Sequence, residues 1–110
     1  MKLVDQLCAP ATVALTPAQI TALLPEVPGW SLIDARLCRR FALTDYRETI
    51  AFVNALAWMI HQQDHHPELV LNYKTCDVAF NTHSVGGGIS QNDFICAALA
   101  NTIYDQRTGA

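Results

Sequence analysis

Four histidines, His61, His65, His66 and His83, are the residues of this sequence best suited to chemistry. Three fall close together, and the fourth precedes the run Gly86-Gly87-Gly88. The free imidazole pKa lies near neutrality, so histidine can give and take protons at cellular pH. His65 and His66 are adjacent, and their mutual repulsion should keep at least one neutral near pH 7. One cation beside one neutral imidazole supplies an acid and a base together. The plain alternative is a helix-end role, because histidine interacts well with the C-terminal end of a helix dipole. A doubled His before Pro67, with a distant His before a glycine loop, favours the catalytic reading.

Other chemistries fit less well. His61 and His65 stand one helical turn apart, as zinc ligands do. A metalloprotease helix needs Glu directly after the first His, and Gln62 stands there. A hydrolase metal held by His61, His65 and His83 is therefore a minor alternative, and no metal is assigned. Cys8, Cys38, Cys76 and Cys96 contain no C-x-x-C pair, so they read as structural thiols. The glycine run matches neither the P-loop nor the dinucleotide fingerprint. It reads as a flexible turn rather than an anion cradle.

The elements that must position the histidines follow from local signals. Thr16-Pro17-Ala18-Gln19 is a capping box with proline in the first helical position, and Pro25 and Pro28-Gly29 close that helix. Trp30–Ile33 and Leu37–Leu43 read as strands joined by a hairpin at Asp34-Ala35-Arg36. Leu37, Arg39, Phe41 and Leu43 share one face of the second strand. Asp45, with Glu48 three positions on, caps the longest helix. Ile50, Val53, Ala57 and Ile60 form one stripe, with Phe52, Leu56 and Met59 beside it, which predicts a buried helix. Its pattern ends at Pro67. Glu68–Tyr73 and Thr75–Thr82 read as two more strands, with Cys76, Val78 and Phe80 on one face. Ser90 and Asp93 form a capping pair for a last helix through about Ile103, and Asp93 reads first as a helix-start carboxylate. Trp30, Phe41 and Phe80 belong to the core. The order predicts an α+β two-layer sandwich, a four-stranded antiparallel sheet with three helices on one face (α-β-β-α-β-β-α). Residues 1–15 carry little pattern and read as a loose arm, leaving 16–110 as a single domain.

Composition bounds the rest. The 110 residues suit one small domain and leave no room for a separate cofactor domain. With 51% hydrophobic and 15% charged residues, the chain is not disordered. A small chain this apolar hints at an oligomer. A net charge of −3 with scattered Lys and Arg speaks against nucleic-acid binding. No apolar run approaches the roughly 20 residues of a membrane span. Asp5 falls where a signal peptide needs its apolar core, so a cytoplasmic protein is expected.

His65-His66-Pro67, Tyr73, Thr82-His83, the glycine loop and Asp93 together resemble the signature of pterin-4a-carbinolamine dehydratases. Gly29-Trp30, Arg40-Phe41, Phe52 and the element order add to the resemblance, which covers nearly the whole domain. It implies a four-stranded antiparallel sheet backed by helices, in a homodimer or homotetramer. It implies dehydration of 4a-hydroxytetrahydrobiopterin to quinonoid dihydropterin, which recycles the pterin used by aromatic amino acid hydroxylases. Acid and base suffice for that reaction, so no cofactor is expected. By the resemblance, His65 and His83 transfer protons and His66 orients the substrate. His61, Asp64, Pro67, Thr82, Ser84 and Asp93 become substrate-binding positions.

The chain departs from the resemblance in places. Many relatives carry Glu where His61 stands, and without that carboxylate the pKa of His65 should sit lower. The loop after His83 is longer by one glycine, and Val85 stands where some members have Cys. A non-enzymatic pterin-binding or dimerisation module, acting as a coactivator, is the alternative function that the resemblance allows.

Overall fold

Alternation along two hairpins builds a single sheet in the computed structural model, which describes residues 1–10 and 12–107. The main elements are α1 (Pro17–Leu23), β1 (Ser31–Ile33), β2 (Arg36–Ala42), α2 (Tyr46–Gln63), β3 (Glu68–Leu71), β4 (Thr75–Phe80) and α3 (Gln91–Gln106). The strands run antiparallel in the order β1-β2-β4-β3. The expected α+β architecture is the observed one, although three of the four strands are shorter than predicted and β2 runs from Arg36 to Ala42 rather than from Leu37 to Leu43.

Register explains which side chains meet. Leu37 pairs with Phe80 and Phe41 with Cys76, so the apolar residues of β2 and β4 share one face. All four are fully buried beneath the helices. Trp30 packs against Phe41 and Phe80, and its indole N–H donates to Asn101 of α3 at 2.7 Å. Arg39, on the same strand face as Leu37, lays its guanidinium over the Phe41 ring at 4.3 Å. The other face carries cross-strand ion pairs, Arg40–Asp77 at 2.6 Å and Arg36–Glu68 at 3.1 Å.

The caps form where the sequence places them. Thr16 and Ser90 each head a reciprocal capping box. At α2, Asp45 accepts from the Glu48 N–H, but the Glu48 carboxylate turns to the N–H and hydroxyl of Thr44 instead.

Two expectations need correction. Helix α2 is not buried all round. Its core face is Thr49, Phe52, Leu56, Met59 and Ile60, whereas Ala57 is exposed and Trp58 is 65% exposed. One sheet and one neighbouring helix can cover only one side of it. The N-terminal segment is not a loose arm over its described residues. Leu3 is buried, the Cys8 N–H donates to Gln63 Oε1 at 2.8 Å, and Asn92 bonds the Ala9 backbone twice, at 3.0 and 2.8 Å. An apolar anchor and a bidentate amide hold the segment across the ends of α2 and α3.

The β1–β2 turn carries a measurable strain. Asp34 and Ala35 both adopt positive φ, 50° and 62°. A Cβ in this region costs about 1–2 kcal/mol. Glycine avoids that cost but loses roughly 0.5–1 kcal/mol in unfolded-chain entropy. Ala35→Gly is therefore expected to stabilise the fold by about 0.5–1 kcal/mol, read as a higher urea midpoint with an unchanged m-value. Among the described residues, no helix is long and apolar enough to cross a membrane.

Candidate active site

Helix α2 ends at Gln63 because Asp64 takes a left-handed conformation, with φ 51°. Pro67 blocks any return to helix just beyond. The chain turn separates the two adjacent histidines. His65 points inward with its side chain 11% exposed, while His66 stays exposed.

His65 is held on two sides. Its ring stacks on Phe80 of β4, with centroids 5.7 Å apart and planes 6° apart. Its Nε2 lies 2.6 Å from Asp93 Oδ1. Asp93 is fully buried in the first turn of α3, where the helix dipole favours a carboxylate. Its Oδ2 accepts from the Ser90 N–H and the Thr82 hydroxyl, each at 2.8 Å. Thr82 Oγ1 also lies 2.7 Å from Ser90 Oγ. A hydroxyl has one proton, so Ser90 donates to Thr82 and Thr82 to Asp93.

Opposing effects set the acidity of His65. Burial opposes the imidazolium. The Asp93 hydrogen bond and charge, with a smaller contribution from Cys8, outweigh that burial and raise the His65 pKa above the ordinary value. The carboxylate that favours the His65 cation arrives from α3.

A cavity of about 270 Å³ brings together Asp64, His65, His66, Thr82, His83 and Ser84. His83 opens a short 3-10 turn, His83–Val85, and is exposed. His61 and Pro67 line a neighbouring groove that shares His66, and His61 leans on Trp58 with ring centroids 5.7 Å apart. Asp93 is absent from the cavity wall and reaches it only through His65 and Thr82. Tyr73 lies elsewhere, stacked on Tyr46. Among the described residues, no three His, Cys, Asp or Glu side chains stand close enough to share a metal ion. The glycine loop spends its amides internally: Gly86 N–H bonds His83 O, Gly87 N–H bonds Thr82 O, and Gly88 N–H bonds Val85 O. They are not aimed at an anion.

Sequence reasoning missed Ala9, Pro10, Asn81 and Asn92, which complete the wall. The first two lie in the supposed arm, and no local pattern marks them. A larger depression of about 430 Å³ lies on the outer sheet face, around Cys38, Arg40, Asp77 and Ala79. It holds no histidine; Arg36 and Arg40 pair there with Glu68 and Asp77, and the Arg39 guanidinium turns to Pro28, Asn101 and the Phe41 ring.

The fold and site define a small α+β domain with a histidine cluster backed by a buried carboxylate. The chain belongs to the pterin 4 alpha carbinolamine dehydratase family, whose model matches residues 13–103. It is 53% identical over 94 residues to a protein of Xanthomonas euvesicatoria pv. vesicatoria, covering 84% of this chain and 79% of that one. A Xanthomonas campestris pv. campestris protein is 50% identical over the same shares. Both are provisionally named pterin-4-alpha-carbinolamine dehydratases. The crystal structure of a transcriptional coactivator/pterin dehydratase from Brucella melitensis superposes with a TM-score of 0.79 at 29% identity, covering 83% of this chain and 98% of that one. A pterin dehydratase-like RuBisCO assembly factor of the alpha-carboxysome shares the fold, with a TM-score of 0.57 at 21% identity over 68% of this chain and 86% of that one.

Proposed function

We propose that this protein dehydrates 4a-hydroxytetrahydrobiopterin to quinonoid dihydropterin and water, in recycling of a pterin cofactor. The observation that carries the reading is His65, clamped by buried Asp93, at a cavity shared with His66 and His83. Family membership and the names of its relatives support the same substrate class.

The substrate bears a hydroxyl on a saturated ring carbon beside a ring nitrogen. With Nε2 engaged by Asp93, Nδ1 is the His65 nitrogen left for the substrate. Its raised pKa favours the imidazolium, which protonates the hydroxyl so that it leaves as water. The ring-nitrogen lone pair assists departure. His83 takes the ring proton, and the two histidines later exchange protons with water. His66, at the cavity mouth, orients the pterin. Asp93 acts as a positioning residue: it fixes the His65 ring and stabilises its cation.

The working form in this reading is a homo-oligomer, dimer or tetramer, which covers exposed apolar side chains such as Trp58. Sedimentation should give a mass above the monomer, and a monomer at working concentration would remove that part. The activity is tested with freshly generated 4a-hydroxytetrahydrobiopterin, with and without a chelator. Chelator-resistant turnover is expected. Chelator-sensitive turnover would move the chemistry to a metal, and no turnover by folded protein would leave a binding or dimerisation module.

A further inference from the structure

The site leaves one reactive pair unused. Cys8 Sγ lies 3.5 Å from Cys96 Sγ, although the residues are 88 positions apart. Cys8 is half-buried in the N-terminal segment, whereas Cys96 is buried in α3. The backbone on either side of the Cys8 sulfur is clamped: the Cys8 N–H bonds Gln63, and Ala9 bonds Asn92, one helical turn before Cys96. A disulfide needs sulfurs about 2.05 Å apart, so closure asks for about 1.5 Å of movement.

The two thiols are also unequal. The hydrogen bond from Cys96 lowers the Cys8 pKa against the opposing effect of burial, and the nearby His65 charge helps while the Asp93 charge opposes. The same bond and burial push the Cys96 thiol up. Cys8 is thus the more acidic of the two thiols, and Cys96 the one that holds its proton more firmly. The Cys38 thiol donates to the Arg36 carbonyl on the outer sheet face, and Cys76 is sealed in the core.

We propose that Cys8 and Cys96 form a two-electron redox pair, oxidised by a hydroperoxide to a disulfide that staples the N-terminal segment to α3. The Cys8 thiolate attacks the peroxide, breaking the O–O bond: one oxygen stays on sulfur as the sulfenic acid, and the other takes up the proton the thiol released and leaves as an alcohol or water. The Cys96 sulfur then attacks the Cys8 sulfur, and the sulfenic hydroxyl leaves as water with the Cys96 proton. Ala9 and Pro10 follow Cys8 and line the histidine cavity, so the staple fixes that wall. Dithiothreitol reverses it.

The test treats reduced, folded protein with limiting hydrogen peroxide, alkylates it, and maps the peptides by mass spectrometry. The expected product has lost two of its four titratable thiols and 2 Da, with one linked peptide joining Cys8 to Cys96. Cys8→Ser should abolish the link and leave Cys96 alkylatable after denaturation. The wild-type map needs no variant to fold. Cys8 sulfinic acid with Cys96 still free, or products linked mainly between chains through Cys38, would overturn the assignment.

Discussion

Replacing His65 or His83 by alanine is expected to lower turnover of 4a-hydroxytetrahydrobiopterin by about 10²-fold or more, the usual contribution of a positioned acid or base. His65→Ala also strands the Asp93 carboxylate in the interior, so a loss of folding can imitate a loss of chemistry. His65→Gln separates the two. Glutamine keeps an N–H donor toward Asp93 but cannot transfer a proton. It should retain the native circular dichroism spectrum and lose activity as alanine does. His66→Ala should act mainly on KM, since its proposed role is orientation. Steady-state kinetics on freshly generated substrate decide the matter. Unchanged turnover on replacing His65 or His83 would end that residue's assignment as a proton carrier.

Asp93→Asn should be the most damaging single change to both fold and pH response. The carboxylate accepts from Ser90, Thr82 and His65 together, and an amide of the same shape must turn a donor toward one of those donors. Removing one member of a buried charge pair costs about 3 kcal/mol or more. The effect depends on pH in a definite direction. The folded His65 pKa is raised, so the stability it confers is fully present below its unfolded value of about 6.5. That stability is lost as pH rises through the folded pKa. Urea unfolding of the wild type should show this component across that window, and Asp93→Asn should lack it. In the activity profile, the alkaline limb set by the His65 acid should move to lower pH. A variant whose limb and pH-dependent stability match the wild type would show that Asp93 does not tune His65.

The caps were legible because they are local. Thr16 with Pro17, and Ser90 with Asp93, signal helix starts within four residues, and the structure places both boxes there. Alternation likewise placed Leu37 with Phe41 on β2, and Cys76, Val78 and Phe80 together on β4, and the register joins the two sets into one buried face. Periodicity could not choose the core face of α2, because Ile50-Val53-Ala57-Ile60 and Phe52-Leu56-Met59 are both apolar stripes. Packing buried the second, together with Ile60 of the first. The His65–Asp93 contact spans 28 positions and depends on how β4 and α3 meet. Each residue could be singled out from the sequence, but their pairing, which raises the His65 pKa above the ordinary value, could not. The role of the N-terminal segment was illegible for the same reason. Gln63 and Asn92 hold it from elements far along the chain.

That segment divides the site between two stretches of chain. His65, His66 and His83 lie inside residues 13–103, the span matched by the family, whereas Ala9 and Pro10 lie outside it. A domain trimmed to the family boundary would keep all three histidines and lose part of the cavity wall. In the proposed reading, the binding space and the proton chemistry thus draw on different stretches of chain: change at Ala9 or Pro10 reshapes the cavity wall while the three histidines keep their places.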